Sequence, residues 1–302
     1  MKKIAVINDR GMGDCLISLM AVDSVIELDS DIEINYVFSK QHIDLFEHSV
    51  FNQRKNVHYH QGNYRAIRAI FDFVKYLFKT KPDLVIDISR TRRIKKVMNT
   101  LNALTFNKFP FKSLQGKPFD KSQFDALSLS IHDLQVLLER PIEKLIRTES
   151  IDLSLLSEKP RIIVSMATST IEHQIDVELF IKLVNMVRGY FPNKIITYTY
   201  GSTRLDLETK QHIETRLPDI DYVQSELHDV PDYFSDAMMF IGLDTGIKHL
   251  AAYMNVPTFS FIPVKSYPYS HPYKAPHKCL RMDRPQEESL REFSQWLSSN
   301  FG

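Results

Sequence analysis

Cysteine is scarce in this chain: its 302 residues hold only Cys15 and Cys279. Two thiols cannot build a disulfide framework, and without a C-x-x-C spacing they outline no zinc site, so both are expected to be reduced. Long apolar runs are missing as well. The longest, residues 237–243, falls well short of the roughly 20 residues that a membrane-spanning helix needs. The opening MKKIAVINDR is cut short by Asn8, Asp9 and Arg10 and is not expected to act as a signal peptide. Charge of one sign is not in excess either: 38 basic residues face 37 acidic ones, for a net charge of +1. That balance argues against a chain that coats nucleic acid, so any anion must be held by a local cluster. No Walker loop is present, and neither Ser165 nor Ser202 lies in a G-x-S-x-G elbow. A cytoplasmic protein, able to rest on the inner face of the cytoplasmic membrane, is therefore expected.

What is present is an ordinary globular composition, 43% apolar and 25% charged, over a length that a single core rarely fills. Two domains are therefore expected. Residues 3–7 are a short β-branched run, followed by a loop with Gly11 and Gly13 and then a helical pattern through Leu16, Leu19, Met20 and Ile26. Residues 32–38 alternate as a strand, 57–60 more weakly. Residues 64–79 repeat apolar side chains at helical spacing, and 84–88 form an apolar strand. Residues 106–122 read as an irregular loop, with Pro110, Gly116 and Pro118, and 126–138 as a helix. A second series starts near Arg161: strands at 162–165, 194–200, 238–242 and 258–261, with helices at 177–190, 246–254 and 289–297. Strands alternating with helices predict parallel sheets covered on both faces. The fold class expected is α/β, with two doubly wound Rossmann-like domains, 1–150 and 151–302, facing a cleft and joined by a linker within 139–160. Ligands of such sheets bind at the carboxyl ends of the strands, which points to the loops after Ile7, Ile88, Ser165, Tyr200 and Gly242.

The first of these loops runs Asn8-Asp9-Arg10-Gly11-Met12-Gly13-Asp14. Its glycines permit a tight turn beside a ligand, but Asp14 at the helix start repels a phosphate and competes for the same N–H groups. Asp14 is better suited to removing a proton from a hydroxyl; the plainer alternative is a helix N-cap. The loop Gly242-Leu243-Asp244-Thr245-Gly246-Ile247-Lys248-His249 follows a buried strand and opens a helix. Thr245 and Gly246 offer a hydroxyl and close backbone approach, the helix start offers N–H groups to a pyrophosphate, and Lys248 and His249 add donors one turn in. The plainer alternative is a capped junction with Asp244 as the cap. Met166-Ala167-Thr168-Ser169-Thr170 and Gly201-Ser202-Thr203 also follow strands and suit phosphate oxygens and a base or ribose. In Arg90-Thr91-Arg92-Arg93-Ile94-Lys95-Lys96 the basic side chains share one helical face, either a solvated face or a seat for an acidic acceptor or anionic membrane surface. Asp219-Ile220-Asp221 has metal-binding spacing but follows Pro218 between a helix and a strand, and the pair His58 and His60 lacks a further nearby ligand.

Taken in order, the Gly13-Asp14 helix start and the run Asp244-Thr245-Gly246-Ile247-Lys248-His249-Leu250-Ala251-Ala252, followed by Val256-Pro257, resemble the ADP-heptose:lipopolysaccharide heptosyltransferases of glycosyltransferase family 9. Asp87 and the basic residues after it look like that family's fourth-strand segment. The resemblance implies a GT-B fold and inversion at the anomeric carbon with neither metal nor cofactor. It implies a nucleotide-sugar held by the second domain and an anionic glycolipid or core oligosaccharide acceptor held by the first. It makes Asp14 the general base. Thr245, Gly246 and His249 match the family's donor-phosphate motif and the loop at Met166 to Thr170 its other phosphate loop. With the loops read above, donor contacts are expected from Met166, Thr168, Ser169, Gly201, Asp244, Thr245, Gly246, Lys248 and His249, and acceptor contacts from Arg10, Gly13, Arg90, Arg92 and Arg93. The chain departs from the family where a Lys and a Trp-Pro pair would follow Thr170, since it reads His173-Gln174-Ile175-Asp176. Lys248, where the family carries an apolar or small residue, is expected to replace that missing cation at the diphosphate. A nucleotide-sugar 2-epimerase of similar architecture and a non-catalytic relative are the alternatives.

Overall fold

The computed structural model describes residues 2–8, 10–28, 31–39, 43–52, 57–62, 67–89, 92–105, 108–113, 126–138, 156, 158–168, 170–267, 270–271 and 276–302. The chain divides into two compact units, Met1–Ile146 and Arg147–Gly302. The segment expected as a linker, 139–160, lies outside the described residues apart from 156 and 158–160.

In the first unit the elements alternate: β1 (Lys2–Asn8), α1 (Met12–Leu28), β2 (Ile32–Ser39), the single turns α2 (Ile43–Phe46) and α3 (Ser49–Asn52), β3 (Val57–Gly62), α4 (Ile67–Thr80), β4 (Leu84–Asp87), α5 (Arg92–Leu104), β5 (Phe111–Ser113) and α6 (Ala126–Leu138). All strands pair in parallel, in the order β3-β2-β1-β4-β5. Ile4 to Asn8 are buried without a break, as strands covered on both faces must be. On one face Ala5, Ile7, Val37 and Val85 meet Phe73, Tyr76 and Leu77 of α4 and Ile94, Met98 and Leu101 of α5. The three- and four-residue spacing puts each of those sets on a single side of its helix. The strand order reverses between β1 and β4, which opens a crevice at their carboxyl ends. Ile7 pairs with Asp87 there, so the loops after Asn8 and Asp87 leave the sheet side by side.

The segment 106–122, read above as a loop, contains β5. It is three residues long, paired Val85 with Phe111 and Asp87 with Ser113. So short a run cannot display a period of two; it becomes a strand because β4 offers it an edge.

The second unit contains β6 (Arg161–Val164), α7 (Val177–Tyr190), β7 (Ile195–Tyr200), α8 (Arg204–Glu214), β8 (Asp221–Gln224), α9 (Val230–Ser235), β9 (Ala237–Leu243), α10 (Gly246–Tyr253), β10 (Thr258–Ile262), β11 (His277–Arg281) and α11 (Gln286–Phe301). Its sheet, again all parallel, runs β11-β10-β9-β6-β7-β8, the doubly wound order with its reversal between β6 and β9. Asp176 starts α7 by accepting from the Glu178 N–H at 2.7 Å. Leu179, Phe180, Leu183, Val184 and Val187 of that helix then pack on Ile162, Val164 and Ile196. Across β10, Phe259 sits against Phe293 and Trp296 of α11 at ring separations of 4.6 and 5.6 Å. Full burial of one such side chain stabilises by about 1.5–3 kcal/mol. At the reversal, Gly242 is required: a Cβ there would stand 2.9 Å from the Ser165 carbonyl oxygen and 2.5 Å from the Phe240 ring. Helix α8 escaped the periodicity reading because its sequence, RLDLETKQHIE, turns only Asp206, Thr209 and Ile213 fully inward.

Candidate functional site

The carboxyl ends of β1 and β4 carry a polar cluster. Asn8, the last residue of β1, is buried. Its Nδ2 lies 2.6 Å from Ser18 Oγ, 3.2 Å from the Tyr36 hydroxyl and 3.2 Å from the Asp14 carbonyl oxygen. The Tyr36 hydroxyl donates to the Cys15 carbonyl at 2.9 Å. These bonds fasten the first turn of α1 to the end of the sheet. The Cys15 N–H donates to the Gly11 carbonyl, so the helix begins after Gly11. Gly13 and Asp14 are its second and third residues, and Asp14 is not the cap residue. The Asp14 side chain is 39% exposed, and Arg10 Nη1 stands 3.7 Å from its Oδ1.

Arg10 is braced from the other strand: its Nε donates to the Ser89 carbonyl at 3.0 Å. Ser89 is itself held by Asp87, whose Oδ1 accepts from the Ser89 N–H at 2.9 Å and the Ser89 hydroxyl at 2.5 Å, while Oδ2 accepts from the Ser113 hydroxyl at 2.9 Å. Burial pushes the Asp87 carboxyl above its ordinary pKa, opposed by those three hydrogen bonds and by the charge of Arg10. A buried carboxylate thus fixes the carbonyl that fixes Arg10 beside Asp14. Asp87 was noticed in the sequence only by resemblance, and Ser89 and Ser113 not at all. Of the other expected acceptor residues, Arg92 and Arg93 open α5 just beyond β4. Their side chains, and the whole of Arg90, lie outside the described residues.

In the second unit three strand ends gather the expected donor residues. After β9 the backbone is extended at Thr245 (φ −135°, ψ 170°), which is the N-cap of α10. Among the described residues the Thr245 hydroxyl makes no capping bond. The first-turn N–H groups of α10 therefore suit an anion, with the positive end of the helix behind them. Asp244, the alternative cap, is turned elsewhere. Its Oδ1 accepts from Lys248 Nζ at 2.6 Å and from the Ser270 hydroxyl at 2.5 Å. Lys248, expected to reach the diphosphate, has no exposed surface. Its ammonium also donates to the Ser270 carbonyl, with the Ser270 hydroxyl 3.4 Å away.

His249 is buried next to this cluster, its Nε2 4.0 Å from Asp244 Oδ1. Among the described residues its Nδ1 is buried without a partner. Burial, and then the Lys248 charge, hold its pKa well below the ordinary 6.5, so the folded protein carries a neutral imidazole. The unfolded chain regains the ordinary value and binds a proton first. Stability tied to His249 is therefore complete above about pH 6.5 and falls below it by up to about 1.4 kcal/mol per pH unit, until the folded pKa is reached. His249→Gln is expected to flatten that loss, as read from urea midpoints between about pH 7.5 and 5. Equal slopes for the wild type and the variant would assign the titration to another group.

After β6, Ser165 is buried; its hydroxyl donates to the Thr199 carbonyl at 2.8 Å and lies 3.2 Å from the Ala167 N–H that donates to it. The Met166 side chain belongs to the core, which leaves its backbone alone for a ligand. Thr168 is mostly buried, with its Oγ 3.5 Å from the Thr170 nitrogen; Ser169 lies outside the described residues. After β7, a Cβ on Gly201 would fall 2.7 Å from Asp206 Oδ2. That carboxylate accepts from the Thr203 hydroxyl at 2.7 Å, and Thr203 caps α8 by accepting from the Asp206 N–H at 3.1 Å. Asp206 and Ser270 were not anticipated; the T-x-x-D spacing was the available signal for the first, while Ser270 lies 22 residues from its partner Lys248.

Among the described residues no group of three or more His, Cys, Asp or Glu could hold a metal ion, and no helix is long and apolar enough to cross a membrane.

No protein-family model and no curated protein sequence matches the chain. Solved structures are similar to it in fold over nearly its whole length. The E. coli heptosyltransferase WaaC with ADP has a TM-score of 0.73 at 14% identity, covering 97% of this chain and 99% of that one. The glycosyl transferase family 9 structure from Veillonella parvula has a TM-score of 0.73 at 14% identity, covering 99% and 97%. The UDP-GlcNAc 2-epimerase from Methanocaldococcus jannaschii is less similar, with a TM-score of 0.51 at 11% identity over 98% and 92%. At such identities the likeness is one of fold, and the fold is the GT-B type expected from the sequence.

Proposed function

We propose that this chain is an inverting, metal-independent glycosyltransferase that moves heptose, or a related sugar, from a nucleotide-sugar, with ADP-heptose the first choice, to a lipopolysaccharide core acceptor. The observation that carries this reading is one pairing. Asp14 stands in the first turn of α1 beside Arg10, and α10 starts at Thr245 with no side-chain cap among the described residues, in a fold similar over nearly its whole length to heptosyltransferase structures. The second unit takes the donor. Its diphosphate lies at the Gly246 N–H and the hydroxyl of Thr245, with the loop at Met166 to Thr170 adding donors and the turn at Gly201 bordering the nucleoside. The first unit takes the acceptor.

In the reaction the acceptor hydroxyl gives its proton to the Asp14 carboxylate. Its oxygen attacks the anomeric carbon from the side opposite the nucleotide. The bond from that carbon to the diphosphate breaks, the configuration inverts, and the departing charge is met by fixed N–H dipoles at the start of α10. Residues 89–119 hold eight Lys and Arg and no Asp or Glu. That excess, in a chain of net charge +1, suits an anionic acceptor presented at the inner face of the cytoplasmic membrane.

A thermal-shift screen against ADP-, UDP-, GDP- and CMP-sugars tests the donor. A ligand at about 100 times its Kd stabilises the folded state by about 2.7 kcal/mol. A selective shift with ADP-sugars is expected. A selective UDP or GDP shift would discard the heptosyl assignment, and no shift would discard the donor site. Incubation with donor alone separates the remaining alternative, since an epimerase changes the sugar without an acceptor.

A further inference from the structure

Asp244 poses an electrostatic difficulty for the donor site. It immediately precedes the N-cap of α10, where a free carboxylate would repel a diphosphate and compete for the same N–H groups. The structure supplies a remedy. Lys248 lies one helical turn on, at i+4, and is fully buried, with its Nζ 2.6 Å from Asp244 Oδ1. Ser270 closes the set: its hydroxyl donates to the same Oδ1 and its carbonyl accepts from the Lys248 ammonium. Ser270 follows the single turn Val264–Ser266 that leaves β10, so the cluster also ties that segment to the start of α10.

We infer that Lys248 serves the donor site through Asp244: it cancels the carboxylate charge beside the helix start and, with Ser270, pins the segment after β10, without itself touching the diphosphate. Lys248 is thus a positioning residue, and Ser270 an added member of the site. The inference rests on the donor-site reading above. It replaces the expectation that Lys248 stands in for the missing family cation, because an ammonium with no exposed surface and partners already in place has no free reach toward a ligand.

Calorimetric titration with ADP, UDP and GDP decides the matter, using the wild type, Lys248→Met and the double variant Asp244→Asn/Lys248→Met. These nucleotides lack the transferable sugar, so contacts to that sugar do not enter. Lys248→Met exposes the donor site to an unpaired carboxylate and is expected to weaken nucleotide binding by about tenfold or more. The double variant removes both charges and is expected to bind within about threefold of the wild type. A direct Lys248–diphosphate contact predicts the opposite, a double variant as weak as the single, and that result overturns the inference. Should Lys248→Met fail to fold, comparing the double variant with the wild type decides alone. A wild type that binds none of the three nucleotides sinks the donor-site reading itself, whereas a wild type that binds beside a double variant that does not sinks only the role given to Lys248.

Discussion

Asp14→Asn is expected to lower kcat by about 10²–10⁴-fold, the usual contribution of a general base, while ADP affinity stays at its wild-type value. Asparagine keeps the shape of the side chain and removes its basicity. The substitution should scarcely disturb the fold. Asp14 is partly exposed, and a carboxylate in a first helical turn stabilises by only about 0.3–1 kcal/mol. The buried ties between β1 and α1 run through its carbonyl and through Asn8, Ser18 and Tyr36, which the variant retains. The proposed donor site lies in the other unit, so a loss of turnover with unchanged ADP titration would place the defect in proton removal. A variant within about tenfold of wild-type kcat would return Asp14 to an ordinary first-turn acid. Arg10 supplies an internal comparison. Its guanidinium stands 3.7 Å from Asp14, and if it contacts the acceptor as proposed, its removal should act on the acceptor KM more than on ADP binding.

The parts of this arrangement legible in the sequence were those that local pattern determines. The β-branched run before Asn8 and the helical spacing from Leu16 to Met20 made β1 and α1 visible, and with them the place of Asp14 near a helix start. The apolar stretch before Gly242, followed by Thr245-Gly246, marked the strand and helix on either side of the turn proposed to hold the diphosphate. What stayed hidden depends on partners distant in the chain. Asp87 is satisfied by Ser113, 26 residues later, on a strand too short to show alternation. Lys248 is the more instructive case. The four-residue interval from Asp244 to Lys248 is a recognisable ion-pair spacing, and it was present in the motif that was read as a row of ligands. Spacing alone does not say whether such a pair faces water or the interior. That is settled by Ser270 and by the segment after β10, which no local pattern places over the start of α10. Lys248, buried with Asp244 and Ser270 as its partners, is where the expectation of a cation facing the phosphate gives way to the inference drawn above.

Burial also sets what removing that pair does to folding. Lys248→Met is expected to cost about 3–5 kcal/mol, because it leaves the Asp244 carboxylate desolvated without its counter-charge. Against a typical domain stability of about 5–15 kcal/mol, that is a large share. Asp244→Asn/Lys248→Met should recover most of the loss, since replacing both members of a buried pair is often neutral. A control with matching geometry exists in the same unit. Arg204 and Glu208 have the same four-residue spacing and the same 2.6 Å separation, but their side chains are 92% and 58% exposed. Breaking that pair should leave the denaturation midpoint almost unmoved, because solvent already screens both charges. Urea titrations of the four proteins, wild type included, measure these differences from the midpoints at constant slope. If the single and double variants at Asp244 and Lys248 are equally destabilised, the cost lies in lost packing of the lysine stem and not in the stranded charge. If the double variant recovers, the pair is a matched set in which each charge is tolerated only because of the other, as expected of a cluster that lets an acidic residue stand beside the proposed donor site.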